Sequence, residues 1–361
     1  MPFLYVPRCM VEPEVAKTEL LDMRARVALN YTWIIVFSKP LTFFFLVWVA
    51  YKYGHIKLGK KDEEPEYSGI TYFAMLFAAG VAVGIFYFGV SEPLGHSQSM
   101  SYNSKVSYSA GNWFVENGYM TQDEMDQFAM TQTIFHWGLA AWSVYLVVAL
   151  GTALASFRFR LPLTFRSCFY PLLGDYTWGW IGDVIDGFSI VVTVSGVCTS
   201  LGLGAMQIAA GLQRIGWVDK GLSGDEMTDV QTAIIWIVTV IATISVMTGL
   251  DVGIKYLSMF AFCLGMILTF VIMIMDRTNY LLNLMVQTIG HFFQFGIWLL
   301  PFHTDAFGQL REGEGRTTDV RTDEWGEGTD AGAAAWWFDA WTIFYVSSKW
   351  HHGYISFFEQ H

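Results

Sequence analysis

Long uncharged stretches divide this chain. No Asp, Glu, Lys or Arg occurs between Glu66 and Glu92, between Asp126 and Arg158, or between Asp186 and Arg214. The same holds between Asp229 and Asp251, between Lys255 and Asp276, and between Arg277 and Asp305. A helix crossing a bilayer needs about 20 consecutive, mostly apolar residues. The pattern therefore predicts spans at 69–91, 131–156, 186–213, 230–249 and 254–275. An earlier span over 32–51 contains Lys39 followed by Pro40, a pair that predicts a break or a helix start, because proline cannot donate to the preceding turn.

The stretch from Thr278 to Thr304 differs from the others. It carries Asn279, Asn283, Gln287, His291 and Gln294 at helical spacing. That amide content predicts a helix near 278–300 lying along the membrane surface. The organisation expected is a polar tail over 1–30, a membrane core over 31–307, an acidic, Gly-rich loop over 308–332 and a last segment over 333–361. Its apolar piece, Ala333–Tyr345, is too short to cross alone. The fold class is thus an all-α polytopic membrane protein of about six full spans plus an interfacial helix.

Composition agrees with this picture. Of the 361 residues, 53% are hydrophobic and only 15% charged, against about 25% charged in soluble domains. The net charge of −11 argues against nucleic acid as a partner. Cys9, Cys168, Cys198 and Cys263 show no metal-binding spacing and read as small apolar residues. No cleavable leader is evident, so the first span is expected to serve as its own insertion signal. The loops 52–68, 157–168 and 250–257 carry eight basic residues and the alternate loops four, which places the first set in the cytoplasm.

Three features bear on chemistry. Gly80 to Gly84 lies in mid-span, and so does the small-residue run Ser195 to Gly204; each fits either close helix packing or a local unwinding whose carbonyls face a ligand. Trp137, Trp142 and Tyr145 form an arc if the third span is one continuous helix at 100° per residue. Such rings serve either as an interfacial belt or as a box attracting a quaternary ammonium group. His136, Glu92 and Asp305 read as structural, with Glu92-Pro93 as a helix stop bearing a solvated carboxylate.

The strings MLFAAGVAVGIFYFGVSEPL, FHWGLAAWSVYLVVALG, SFRFRLPLTFRSCFYPLLGD, TSLGLGAMQIAAGL, ISVMTGLDVGIKYLS and DAWTIFY resemble, in order, the betaine–choline–carnitine transporter family. The resemblance runs from Thr32 to Tyr345. It implies a secondary transporter fold with two inverted five-helix repeats, of which this chain holds a part, and alternating access to a site in mid-membrane. The implied substrates are zwitterionic or cationic osmolytes: glycine betaine, choline, carnitine or the sulfonium dimethylsulfoniopropionate. The coupling ion implied is sodium. Substrate contacts are expected from Trp137, Trp142, Tyr145, Gly80, Ala82, Gly84 and Tyr87, and sodium contacts from Ala78, Val81 and Thr193. A multi-pass location in the plasma membrane is implied, and a homotrimer, the assembly some family members form, is carried over as an expectation.

Departures accompany the likeness. Ala82 stands where the family has a central glycine, which should stiffen the bend or bias substrate choice. Val197 stands where a second sodium site has a threonine, and it has no oxygen for a hard cation. The motifs end at Tyr345, inside what resembles the family's eighth helix, and the residues from Val346 onward are expected to be foreign to it. The alternative to sodium-coupled transport is therefore a transport-incompetent membrane fragment, or an interaction subunit, from an incomplete gene model.

Overall fold

The computed structural model describes residues 12–297 apart from 60, 61, 63, 81, 98–100, 103–105, 108–120 and 223. The expectations for 308–332 and 333–361, and for Asp305, lie outside the described residues. Helix α1 covers Pro13–Tyr53, α2 Gly69–Gly80 and α3 Ala82–Ser97. A two-residue ladder pairs Ser101–Tyr102 with Val106–Ser107. Helix α4 is Gln122–Trp137 and α5 Leu139–Ala153, continued by a π-helical turn at Leu154–Arg158. Short helical turns fill Phe165–Trp178. Then come α6 (Trp180–Arg214), α7 (Asp225–Met247), α8 (Lys255–Met275) and α9 (Thr278–His291).

Among the described residues, four helical stretches are long and apolar enough to cross a membrane: Gln122–Arg158, Trp180–Arg214, Glu226–Met247 and Val252–Met275. A fifth passes as a bent pair, its arms Gly69–Ala78 and Val83–Leu94 meeting at 62°. These five coincide with the five spans expected after the first. The protein is an all-α polytopic membrane protein. Most large apolar side chains on the spans face outward, among them Ile237, Val246, Phe260, Ile267 and Phe270. In water that surface would be a liability; in hydrocarbon it is the ordinary exterior.

Two sequence expectations are corrected here. Lys39-Pro40 does not interrupt the first span, because α1 runs unbroken through Pro40. The Lys39 side chain is drawn inward instead, 1% exposed, with its ammonium 4.0 Å from the centre of the Phe135 ring. Helix α1 also begins at Pro13, within the stretch read as a polar tail. Helix α9 is 14 residues long, too short to cross a bilayer.

The described chain divides into two compact units, and each is taken by itself. One draws on the chain up to Lys61, Ser91–Gly196 and the chain from Thr288 onward. Its apolar core pairs Phe135 with Phe292, flanked by Phe128, Ile134 and Ile297. Gln127 Nε2 donates to Thr288 Oγ1 at 3.3 Å, and the Thr131 hydroxyl lies 2.7 Å from His291 Nδ1. Burial holds the His291 imidazole below its ordinary pKa. The other unit comprises Asp62–Val90 and Val197–Gln287. There Phe262 of α8 sits edge-on between Phe73 and Phe77 of α2 at 5.6 and 5.7 Å. Ala205 and Ala209 let α6 approach Ile234 of α7.

Helix ends are set by local chemistry. Thr121 caps α4 in a reciprocal box: Glu124 N donates to the Thr121 hydroxyl at 3.3 Å, and Thr121 N donates to Glu124 Oε2 at 2.8 Å. Asp123 and Glu124 also complement the positive end of the helix dipole. Replacing Thr121 by Ala is expected to destabilise the protein by about 1 kcal/mol, read as a lower melting temperature in detergent micelles.

Candidate functional site

Helices α4 and α5 would form one continuous rod were it not for Gly138. That residue is extended, with φ −88° and ψ −153°, and its N–H still donates to Ile134 O at 2.7 Å. A Cβ there would lie 2.5 Å from the same carbonyl oxygen, so glycine is required by close approach. The break separates Trp137, the last residue of α4, from Trp142 and Tyr145 on α5. The arc drawn for a continuous helix is therefore split, because the 100° step does not carry across Gly138. Trp142 and Tyr145 stay together, half-buried, with ring centres 5.8 Å apart and planes inclined by 45°.

Trp137 is held by a different partner. Its Nε1–H donates to Glu92 Oε2 at 2.7 Å. The other carboxylate oxygen pairs with His136 Nδ1, and His136 Nε2 lies 3.1 Å from Gln132 Nε2. Glu92 and His136 are both 0% exposed and Gln132 is 1% exposed. One arrangement satisfies these contacts: the Gln132 amide donates to His136 Nε2, and His136 Nδ1–H and Trp137 Nε1–H each donate to one oxygen of the carboxylate. The positive charge of Lys39 acts on the same carboxylate.

This cluster overturns the reading of Glu92 as a solvated helix stop. Helix α3 continues through Pro93 to Ser97, and the carboxylate is sealed inside. His136 lies in the last turn of α4 rather than opening a span, and its side chain is buried and partnered. The signal that could have found the cluster was the scarcity of charge itself. Lys39 lies inside an apolar span and Glu92 bounds another, where a lone charge is costly unless matched.

The remaining candidates lie on other elements. Gly80 ends α2 and Ala82 starts α3, and the arms on either side, Gly69–Ala78 and Val83–Leu94, meet at 62°. Gly84 follows on α3, and Tyr87 meets Phe88 edge-on at 4.9 Å. Ala78 lies in the last turn of α2, and Val81 is outside the described residues. The Thr193 hydroxyl is exposed and donates to Ser189 O at 2.8 Å, leaving oxygen lone pairs for another partner. Among the described residues, no group of three His, Cys, Asp or Glu side chains is placed to hold a metal ion.

The buried ionic cluster makes a prediction. Removing one member of a buried pair leaves an uncompensated charge, at about 3–5 kcal/mol, whereas removing both is often neutral. Lys39→Met and Glu92→Gln are each expected to lower the melting temperature. The Lys39→Met/Glu92→Gln double variant should recover most of the loss in the same thermal-shift series.

Comparison with known proteins follows the same residues. The profile of the betaine/carnitine/choline family transporters matches residues 3–358. That match takes in positions 346–358, where the resemblance was expected to have stopped. A glycine betaine/proline/choline transporter of Vibrio parahaemolyticus is 38% identical over 289 residues, 76% of this chain and 48% of that protein. A glycine betaine transporter of Bacillus subtilis is 33% identical over 286 residues, 79% of this chain and 52% of that protein. An uncharacterised transporter of Haemophilus influenzae is 35% identical over 95% of this chain and 44% of its own length. The chain spans about half the length of the curated relatives it matches. With the match reaching nearly end to end, this integral, multi-pass membrane protein belongs to the betaine/carnitine/choline transporter family.

Proposed function

We propose that this chain recognises a quaternary ammonium osmolyte and takes part in its sodium-coupled transport by alternating access. The observation that carries the reading is the Trp142–Tyr145 ring pair on α5, immediately after the Gly138 break. Ring faces attract a desolvated quaternary ammonium group with roughly 2 kcal/mol or more, and without needing a counter-charge at the site. A zwitterion such as glycine betaine suits that environment, because it brings no net charge into the membrane. The names of the Vibrio and Bacillus relatives support the same substrate class. Trp137, Gly80, Ala82, Gly84 and Tyr87 complete the proposed set of substrate contacts.

Sodium is proposed as co-substrate. A bend such as that between α2 and α3 frees backbone carbonyls, the ligands a hard cation prefers. Ala78 and Val81 would contribute to one site through their carbonyl oxygens, and Thr193 to a second through its hydroxyl. Val197, one turn along α6 from Thr193, offers no oxygen, so we propose coupling through one such site rather than two.

Three outcomes follow. Purified chain in liposomes is expected to accumulate labelled glycine betaine only under an inward sodium gradient; binding without accumulation would instead support recognition by a subunit that does not translocate alone. Trp142→Leu should weaken betaine binding about thirtyfold, the equivalent of roughly 2 kcal/mol, with membrane insertion unchanged. Titration calorimetry in micelles reads this, and wild-type affinity in the variant would refute the ring assignment. Ala82→Gly should ease non-helical dihedrals at the bend and raise choline acceptance relative to betaine in a competition assay.

A further inference from the structure

Glu92 lies in the first compact unit, sealed from solvent, yet it does something a charge-balancing carboxylate need not do. Its two oxygens are assigned to different donors: Oε1 to His136 Nδ1 and Oε2 to Trp137 Nε1–H, the latter at 2.7 Å. His136 is fixed in turn by Gln132, one turn earlier on α4. The carboxylate thus meets two consecutive residues at the end of α4, next to the Gly138 break. At a helix end the indole would otherwise be free to choose among rotamers. The bond to Oε2 selects one of them.

We propose that Glu92 is a positioning residue: its buried carboxylate fixes the Trp137 indole at the end of α4 and so sets the ring that leads into the Trp142–Tyr145 pair. This rests on the proposed recognition of a quaternary ammonium compound, for which ring orientation decides whether a face or an edge meets the cation. Lys39 and His136 have supporting parts. The ammonium compensates the carboxylate charge, and the imidazole occupies the oxygen that Trp137 does not use. Length matters more than charge under this proposal. Aspartate keeps the charge but withdraws the carboxyl by one methylene, whereas glutamine keeps the length and one acceptor oxygen.

The test uses the full chain labelled with 5-fluorotryptophan, its Trp137 fluorine resonance identified by its loss in Trp137→Phe. Glu92→Asp is expected to move or broaden that resonance and to weaken glycine betaine binding roughly tenfold, the effect of losing one hydrogen bond to a charged group. The Lys39→Met/Glu92→Gln variant, in which both charges are removed, should keep the resonance near its wild-type position. A role in charge balance alone gives the reverse order for the single variants: Glu92→Asp tolerated and Glu92→Gln, which leaves Lys39 uncompensated, disruptive. That reversed order, or an unmoved Trp137 resonance in Glu92→Asp, overturns the proposal. In the Trp137→Phe background, Glu92→Asp should cost no further affinity. If wild-type protein binds no betaine, the functional reading falls, while the resonance still decides whether Glu92 positions Trp137.

Discussion

Hydrocarbon offers no hydrogen-bond partners, so every backbone N–H and C=O in a membrane span must be satisfied by the protein. That constraint shapes each irregularity described above. At Gly138 the helix stops, but its N–H remains bonded to Ile134 O. At Leu154–Arg158, Leu250–Ile254 and Phe292–Gly296 the chain widens into π turns, which keep backbone bonds while admitting an extra residue. Threonines along the spans follow suit, the hydroxyls of Thr133, Thr152, Thr243 and Thr269 each donating to a carbonyl of their own helix.

The same medium governs the side chains. A carboxylate and an ammonium lie buried in one unit beside a hydrogen-bonded imidazole, where either charge alone would be prohibitive. The carboxylate and the ammonium compensate each other's charge, and the carboxylate's bonds to His136 and Trp137 link α3 to α4. The result is a polar centre binding α1, α3 and α4, set beside the apolar contact of Phe135 with Phe292. Outward from this centre the surface is aliphatic and aromatic, as lipid requires.

Much of the fold was legible in the sequence because a span announces itself by what it lacks. Five uncharged runs became five spanning elements, and the span that carries Gly80 to Gly84 is bent. What escaped was pairing across long separations. Lys39, Glu92 and His136 are each solitary in their own stretch, and no local pattern joins them. The break at Gly138 escaped for another reason: a single glycine in an apolar run is usually absorbed into the helix, and only the close approach to Ile134 shows that this one is not. The rings of Trp142 and Tyr145, three residues apart, met as helical spacing requires, whereas Trp137 did not share their helix.

The loop after α5 is tied at both ends. Arg166 reaches Asp186 with its backbone N–H at 2.9 Å and with its guanidinium Nε, and its terminal nitrogen meets Asp183 at 2.9 Å. The Ser167 hydroxyl donates to Pro162 O at 2.7 Å, and Cys168 packs against Gly151 of α5. In mechanical terms the segment is a stiff strut between two spans, its joint made by a planar fork that lysine could not reproduce. The end of α5 and the start of α6 are therefore joined by side-chain contacts as well as by the chain between them.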